Sequence, residues 1–227
     1  MRALKSAIVR GLERRGYELR PPVQYATGVQ FLYFKRMFDR VSDIEGGIVE
    51  CGVGHGQSLL LFSFLLKDSQ RLRKLWGFDS FQGFPEPSKE DQSVRDPKKG
   101  EWGDTSIPAM HKLLRRSGLD SAFVRSQITL VQGFFEESLA KYRQNIALLH
   151  IDVDLYDSYR TVLRELYPKV AIGGVILFDE YLGTFDHLHF PGAQKAIDEF
   201  FGEEATAIQR DERSGKYYLV KRKELPL

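Results

Sequence analysis

Two apolar runs that end in acids set the terms for this chain. Asn145-Ile146-Ala147-Leu148-Leu149 leads into His150-Ile151-Asp152-Val153-Asp154, and Gly173-Gly174-Val175-Ile176-Leu177-Phe178 stops at Asp179-Glu180. A third run, Ile48-Val49-Glu50, opens into the turn Cys51-Gly52-Val53-Gly54-His55-Gly56. Short apolar runs bounded by turn residues read as buried strands. Taken as neighbouring parallel strands, they bring their carboxyl ends to one sheet edge, where open α/β sheets bind ligands. A nucleotide-type cofactor then lies beside a nest of carboxylates.

The rest of the chain agrees with such a sheet. From Ile48 onward, strands expected at 48–52, 74–78, 128–132, 146–152 and 173–178 alternate with helices at 56–66, 106–117, 156–166 and 191–202, the pattern of a parallel sheet covered on both faces. Ala205–Gln209 and Lys216–Val220, joined by RDERSG, read as a terminal antiparallel hairpin. Residues 1–45 read as a helical arm or cap, with Leu4, Ile8 and Leu12 and then Phe31, Phe34 and Phe38 at helical spacing, ahead of a domain at 46–227. No linker-like stretch or internal repeat divides the 227 residues further. The segment 84–105 is polar, proline-bearing and long for a loop; Trp102 within it favours a lid over a disordered insertion, because an aromatic there needs a surface to dock on.

Composition excludes several functions. The 33 Lys and Arg balance 31 Asp and Glu at a net charge of +2, which gives no phosphate-backbone footprint and argues against nucleic acid as a partner. The longest apolar stretch, Leu59 to Leu66, falls far short of a bilayer span of ~20 residues. The single cysteine, Cys51, rules out an internal disulfide and reads as a packed strand residue, which points to the cytoplasm. The aromatic-rich arm offers a face for a second subunit in a homo-oligomer.

The glycine turn lets a ligand approach the backbone closely, since glycine has no Cβ. Its spacing is G-x-G-x-G, and Gln57 stands where a dinucleotide fingerprint needs its last glycine. Glu50, Gly52, Gly54, Gly56 and Ser58 are the cofactor candidates of this turn. Asp79, followed by Ser80, ends the next strand, where a carboxylate accepts hydrogen bonds from a ribose diol. Gly133 and Phe134 after the third strand suit an adenine ring, with a core aromatic pair as the plainer alternative.

VECGVGHGQS resembles the E/D-x-G-x-G-x-G motif of class I S-adenosylmethionine-dependent methyltransferases. More narrowly, GFDSFQGFPEP, GDTS, LLHIDVDLYDSYRTVLRELYPKVAIGGVILFDEY and FPGAQKAIDEFF, spread over residues 45–202, resemble the macrocin O-methyltransferase family of metal-dependent enzymes acting on sugar hydroxyls of natural products. The resemblance implies a Rossmann-like fold: a seven-stranded, mostly parallel sheet with an antiparallel C-terminal hairpin and helices on both faces. It also implies S-adenosylmethionine as methyl donor and a hydroxylated small molecule as acceptor.

His150, Asp152 and Asp154 share parity, so on a regular strand they point to one face. Asp179 follows Asp152 by 27 positions, the length of a crossover to an adjacent strand, so Asp152, Asp179 and Glu180 can converge on one ion. The resemblance implies the same three as metal ligands, although the family more often carries Asp-Asp where Asp179-Glu180 stand. Oxygen donors without cysteine favour Mg²⁺ or a similarly hard cation. The plainer reading is that these acids are hydrated at strand ends or cap helices, a task for which Asp157 and Ser158 are available. For a base near the acceptor hydroxyl the candidates are Asp154, then His187 and His189, while His150 reads as a satisfied core histidine. Catechol or phenol methylation is the alternative chemistry, weakened because no lysine follows Asp152 closely. A non-catalytic S-adenosylmethionine-binding module would be expected to have a degraded turn or acid cluster, and neither is seen.

Overall fold

The computed structural model describes residues 24–69, 71–183 and 186–225. The expectation for Leu4, Ile8 and Leu12 falls outside them.

The apolar runs form the middle of the sheet because they have no polar side to present. β1 (Gly47–Cys51) and β4 (Ile146–Ile151) are buried along their whole length. β2 (Leu75–Asp79), β3 (Ile128–Gln132) and β5 (Val170–Phe178) flank them, and β6 (Gln209–Arg210) and β7 (Tyr217–Val220) complete seven strands in the order β3-β2-β1-β4-β5-β7-β6. All neighbouring pairs from β3 to β5 are parallel, while β7 runs antiparallel to both β5 and β6.

One face of this sheet carries α1 (Tyr25–Arg40), α2 (Gln57–Asp68), α3 (Ile107–Arg116) and α4 (Ser121–Gln127), through a core that includes Phe34, Phe62, Met110 and Val124. On the other face α6 (Tyr156–Leu166) and α8 (Pro191–Phe201) pack Tyr159, Leu163, Ala193 and Ile197 against Ile151 and Phe178. Two short helices, α5 (Phe135–Ser138) and α7 (Asp186–His189), complete the set. In the Phe31, Phe34 and Phe38 stripe, Phe34 is fully buried and the other two pack around it, so the stripe is a core face.

Two local expectations are corrected, and two short helices are added. Residues 202–207 form a 3₁₀ helix instead of most of a strand, with the Thr206 hydroxyl donating to the Glu203 carbonyl, so β6 keeps only two residues. β5 begins at Val170, earlier than 173, because the β4–β5 register shifts near its start and Gly173 (φ +85°) turns there. The 121–127 and 135–138 segments are helical: Asp120 caps the first by accepting from Phe123 N, at 2.8 Å, and both are too short to show periodicity.

Candidate active site

Parallel pairing brings four strand ends to one level. Gly52 N donates to Phe78 O, Asp152 N to Cys51 O, Asp179 N to Ile151 O and Gly133 N to Asp79 O, each at 2.9 to 3.0 Å. The residue that follows β1, β4 or β5 therefore lies on a common rim. Above it opens a cavity of about 890 Å³. Its wall includes Gly52, Gly54, Ser58, Asp79, Ser80 and Phe134 from the predicted cofactor set, and Asp152, Asp154 and Asp179 from the predicted acids.

The half of the cavity beside the glycine turn is built around Asp79. Its Oδ2 accepts from Val53 N at 2.8 Å and Gly54 N at 2.9 Å, and its Oδ1 accepts from Phe81 N at 2.6 Å. The carboxylate thus shapes the glycine turn while still facing the cavity, a role that strand-end position alone did not reveal. Gly54 (φ +50°) has open space where a Cβ would stand. His55 is exposed at the mouth, 3.2 Å from Asp104.

Glu50, Gly56 and Gly133 lie off the cavity wall. Glu50 is fully buried behind it, with Oε1 3.1 Å from His150 Nδ1, so its position in the motif places it next to a histidine instead of a ligand. Burial pushes the Glu50 carboxyl up and His150 pulls it back, while the same contact raises His150 against its own burial. The other carboxylate oxygen, Oε2, has no hydrogen-bond partner. Gly56 is kept by its backbone: at φ +82° any side chain is strained, whereas a Cβ there would meet only the flexible ends of Met110 and Leu113. Gly133 supplies a turn at φ +139°.

The acids converge in two overlapping groups. His150, Asp152 and Asp179 each offer a ligand atom within 4.8 Å of the others, and so do Asp152, Asp154 and Glu180. Asp152 is the shared corner. Glu180 is buried behind the wall, its Oε2 accepting from the Tyr159 hydroxyl at 2.8 Å and from Asp154 N at 3.3 Å. Asp154 holds a left-handed backbone (φ +58°), an uncommon conformation for a residue with a side chain, which turns the chain out of β4 into the site.

Electrostatics separates these carboxyls. Burial, then the Asp179 charge, pushes Asp152 up to about 7. Asp154 and Glu180 are raised well above the usual range, by burial first and then by neighbouring acids. Burial would also raise Asp179, but Lys216 and His150 outweigh it, so its carboxyl stays low. The Lys216 ammonium lies 2.8 Å from Asp179 Oδ1. Nothing in the RDERSG turn pointed to this pair, because β7 meets β5 only in the folded sheet.

The segment 84–105 forms part of the wall through Phe84, Pro85, Glu101 and Trp102. Arg95 holds it, lying 5.7, 5.0 and 5.3 Å from the ring centroids of Phe84, Trp102 and Phe190 and pairing with Glu101 at 2.7 Å. Asp91, buried, accepts from Ser88 N and Tyr156 N, each at 2.8 Å. The cap of α6 therefore comes from this segment, and not from Asp157 or Ser158 as the sequence suggested. His189 is exposed and does not line the cavity. The side chain of His187 is outside the described residues.

A family model described as Macrocin-O-methyltransferase (TylF) matches residues 30–211, which contain both the glycine turn and the acid rim. The chain belongs to the macrocin O-methyltransferase family. Among relatives of known role, demethyldecarbamoylnovobiocin O-methyltransferase of Streptomyces niveus is 30% identical over 178 residues, 75% of this chain, and the match spans 65% of that relative's own length. Mycinamicin III 3''-O-methyltransferase of Micromonospora griseorubida is 25% identical over 185 residues, 77% of this chain and 68% of its own. The crystal structure of the calicheamicin methyltransferase CalS11 superposes with a TM-score of 0.76 at 27% identity, covering 87% of this chain and 80% of that one. The chain has the class I methyltransferase sheet, in the strand order β3-β2-β1-β4-β5-β7-β6.

Asp79→Ala is expected to weaken S-adenosylhomocysteine binding by about 10- to 100-fold, because hydrogen bonds to a charged group are worth ~1.5–3 kcal/mol. Calorimetric titration of the folded variant measures it. Unchanged affinity would remove Asp79 from the cofactor half.

Proposed function

We propose that this protein transfers a methyl group from S-adenosylmethionine to a hydroxyl of a sugar-bearing small molecule, with a divalent cation at the acid rim. One observation carries the reading: a single cavity joins the glycine turn and Asp79 to Asp152, Asp154 and Asp179. The relatives named for novobiocin and mycinamicin O-methylation support a natural-product acceptor.

S-adenosylmethionine, when bound, supplies both the methyl group and its leaving thioether. What remains for the chain is geometry. The glycine turn and Asp79 fix the nucleoside end, and the cavity holds an acceptor oxygen in line, which lowers the entropic part of the barrier. The all-oxygen donor set that fits a hard cation is Asp152, Asp154 and Glu180; Asp179 meets Asp152 only in the group that includes the His150 nitrogen, with one of its oxygens held by Lys216, so the expected trio of Asp152, Asp179 and Glu180 does not come together as one group. A cation, if held there, would supply a positive charge that lowers the pKa of an acceptor hydroxyl. Asp154 lines the cavity and is the group that takes the hydroxyl proton at a carboxylate oxygen; burial and the neighbouring acids raise its carboxyl, and a cation at the rim would favour its ionised form. Calorimetry with S-adenosylhomocysteine tests the reading at its root: folded protein that does not bind it is not a methyltransferase of this kind.

A second measurement addresses the cation. Asp152 rises from 3.8 to about 7 on folding, so between those values the folded state holds more protons than the unfolded one. Stability contributed by this group is therefore highest in acid and falls at up to about 1.4 kcal/mol per pH unit as pH climbs from about 4 to about 7. A cation at Asp152 displaces that proton and relieves the repulsion. Mg²⁺ is expected to raise the unfolding temperature substantially at pH 8 and little at pH 5, measured by calorimetry. Equal shifts at both values would place Mg²⁺ elsewhere.

A further inference from the structure

The strand register brings a lysine to the acid rim. β7 pairs antiparallel with β5, and Phe178 stands opposite Tyr217, so the next position along puts Lys216 across from Asp179. The Lys216 ammonium lies 2.8 Å from Asp179 Oδ1 and also donates to Asp179 O at 3.0 Å, gripping both the side chain and the backbone of one residue. Its own backbone is tied down as well. Asp211 N donates to Lys216 O at 2.8 Å, and Arg36 engages the Asp211 carboxylate at 2.7 and 3.2 Å, which fastens the β6–β7 turn to α1. Lys216 therefore holds a fixed place on the cavity wall that also carries Asp152, Asp154 and Asp179.

The acids divide according to this contact. Asp152, Asp154 and Glu180 form an all-oxygen group, whereas Asp179 joins Asp152 only in the group that includes His150. The carboxyl outside the all-oxygen group is the one that Lys216 engages. Its chain neighbour Glu180 turns the other way, toward the Tyr159 hydroxyl and Asp154 N. An ammonium and a divalent cation compete for the same carboxylate, and they repel each other. The affinity of an oxygen site for a hard cation also follows the charge that its ligands supply. All of these effects have one sign: Lys216 weakens the hold of the rim on a cation.

We propose that Lys216 is a built-in counter-ion that withholds Asp179 from the cation and so sets how tightly the rim binds it. This rests on the cation reading above. Asp152, Asp154, Asp179 and Glu180 crowd the rim, and Lys216 offsets one of their charges. A cation with fewer protein carboxylates around it is held more loosely and keeps more of its coordination positions for other oxygens. Such a site suits an acceptor that must arrive and leave. Lys216 is in this sense a positioning residue, acting through Asp179.

The test titrates the full chain with Mg²⁺ alone at pH 8, by calorimetry and by the Mg²⁺-dependent rise in unfolding temperature. Wild type is compared with Lys216→Met, Lys216→Gln, Lys216→Arg and the double variant Lys216→Met/Asp179→Asn. Lys216→Gln removes the charge but leaves an amide that can donate to the Asp179 carboxylate, so one neutral variant keeps a partner for that group. A cooperative thermal transition shows that each variant is folded. Both neutral single variants are expected to bind Mg²⁺ about tenfold or more tighter than wild type, because the rim gains one unit of net negative charge. Lys216→Arg is expected to bind it no tighter than wild type, and the double variant to return to within about threefold of wild type, because it removes one charge of each sign. Folded neutral variants that bind Mg²⁺ no tighter than wild type overturn the proposal, as does a gain that survives Asp179→Asn. Absence of Mg²⁺ binding in wild type and every variant overturns the cation reading itself, and the proposal with it.

Discussion

Asp152→Ala is expected to lower turnover by about 1,000-fold or more while S-adenosylhomocysteine affinity stays within about threefold of wild type. The asymmetry follows from where Asp152 stands. It is the only residue shared by the two acid groups, so its loss leaves neither group of three intact. Activation and positioning of the acceptor hydroxyl fail together, and general-base assistance alone is typically worth 10²–10⁴ in rate. The other end of the cavity, where Val53 N and Gly54 N donate to Asp79 beside Phe134, keeps its own hydrogen bonds. Removing one buried negative charge also eases repulsion on Asp154 and Glu180, whose carboxyls Asp152 helps to raise, so the variant should fold. Methyl transfer from labelled donor, beside calorimetry with S-adenosylhomocysteine, separates the two effects. Parallel loss of both would mean that the strand end had collapsed.

Glu180 is the less severe case by the same reasoning. It lies behind the wall, between the Tyr159 hydroxyl and Asp154 N, so part of its role is to hold Asp154 in its left-handed conformation.

The sheet and its acid rim were readable because they depend on local pattern. Apolar runs too short for helices and bounded by turns have few alternatives to buried strands, and the crossover-length spacing brought Asp152 near Asp179; the parity of His150, Asp152 and Asp154 did not carry over, because β4 ends at Ile151 and Asp154 turns left-handed, so His150 and Asp154 fall in different acid groups. Contacts made between distant segments were not readable. Lys216 meets Asp179 only because β7 inserts beside β5, and Asp91 caps α6 from 65 positions away. Glu50 shows the limit of motif position: its strand neighbour in register is His150, so burial paired the two and turned the carboxylate from the ligand.

The glycine turn and the acid rim are joined at Gly52, which makes its substitution the second large effect. A Cβ on Gly52 would fall inside the van der Waals radius of the Asp152 carbonyl oxygen, and the residue sits at φ +85°, so an alanine must move backbone on both β1 and β4. No flexible side chain can absorb that clash. Gly52→Ala is expected to cost more than about 4 kcal/mol, the range reserved for disrupted cores and strained backbone, which lowers the unfolding temperature by about 10 °C or more in a chain of this size. Gly54→Ala is the control, since its Cβ would meet nothing within 4 Å and pays only for φ +50°. That cost is about 1–2 kcal/mol, so the Gly54 variant should fold near wild-type stability yet bind S-adenosylhomocysteine poorly, its methyl group projecting where the cofactor approaches. Thermal unfolding and calorimetry on the pair decide the matter: a Gly52 variant as stable as the Gly54 variant would show that turn and rim are not in contact.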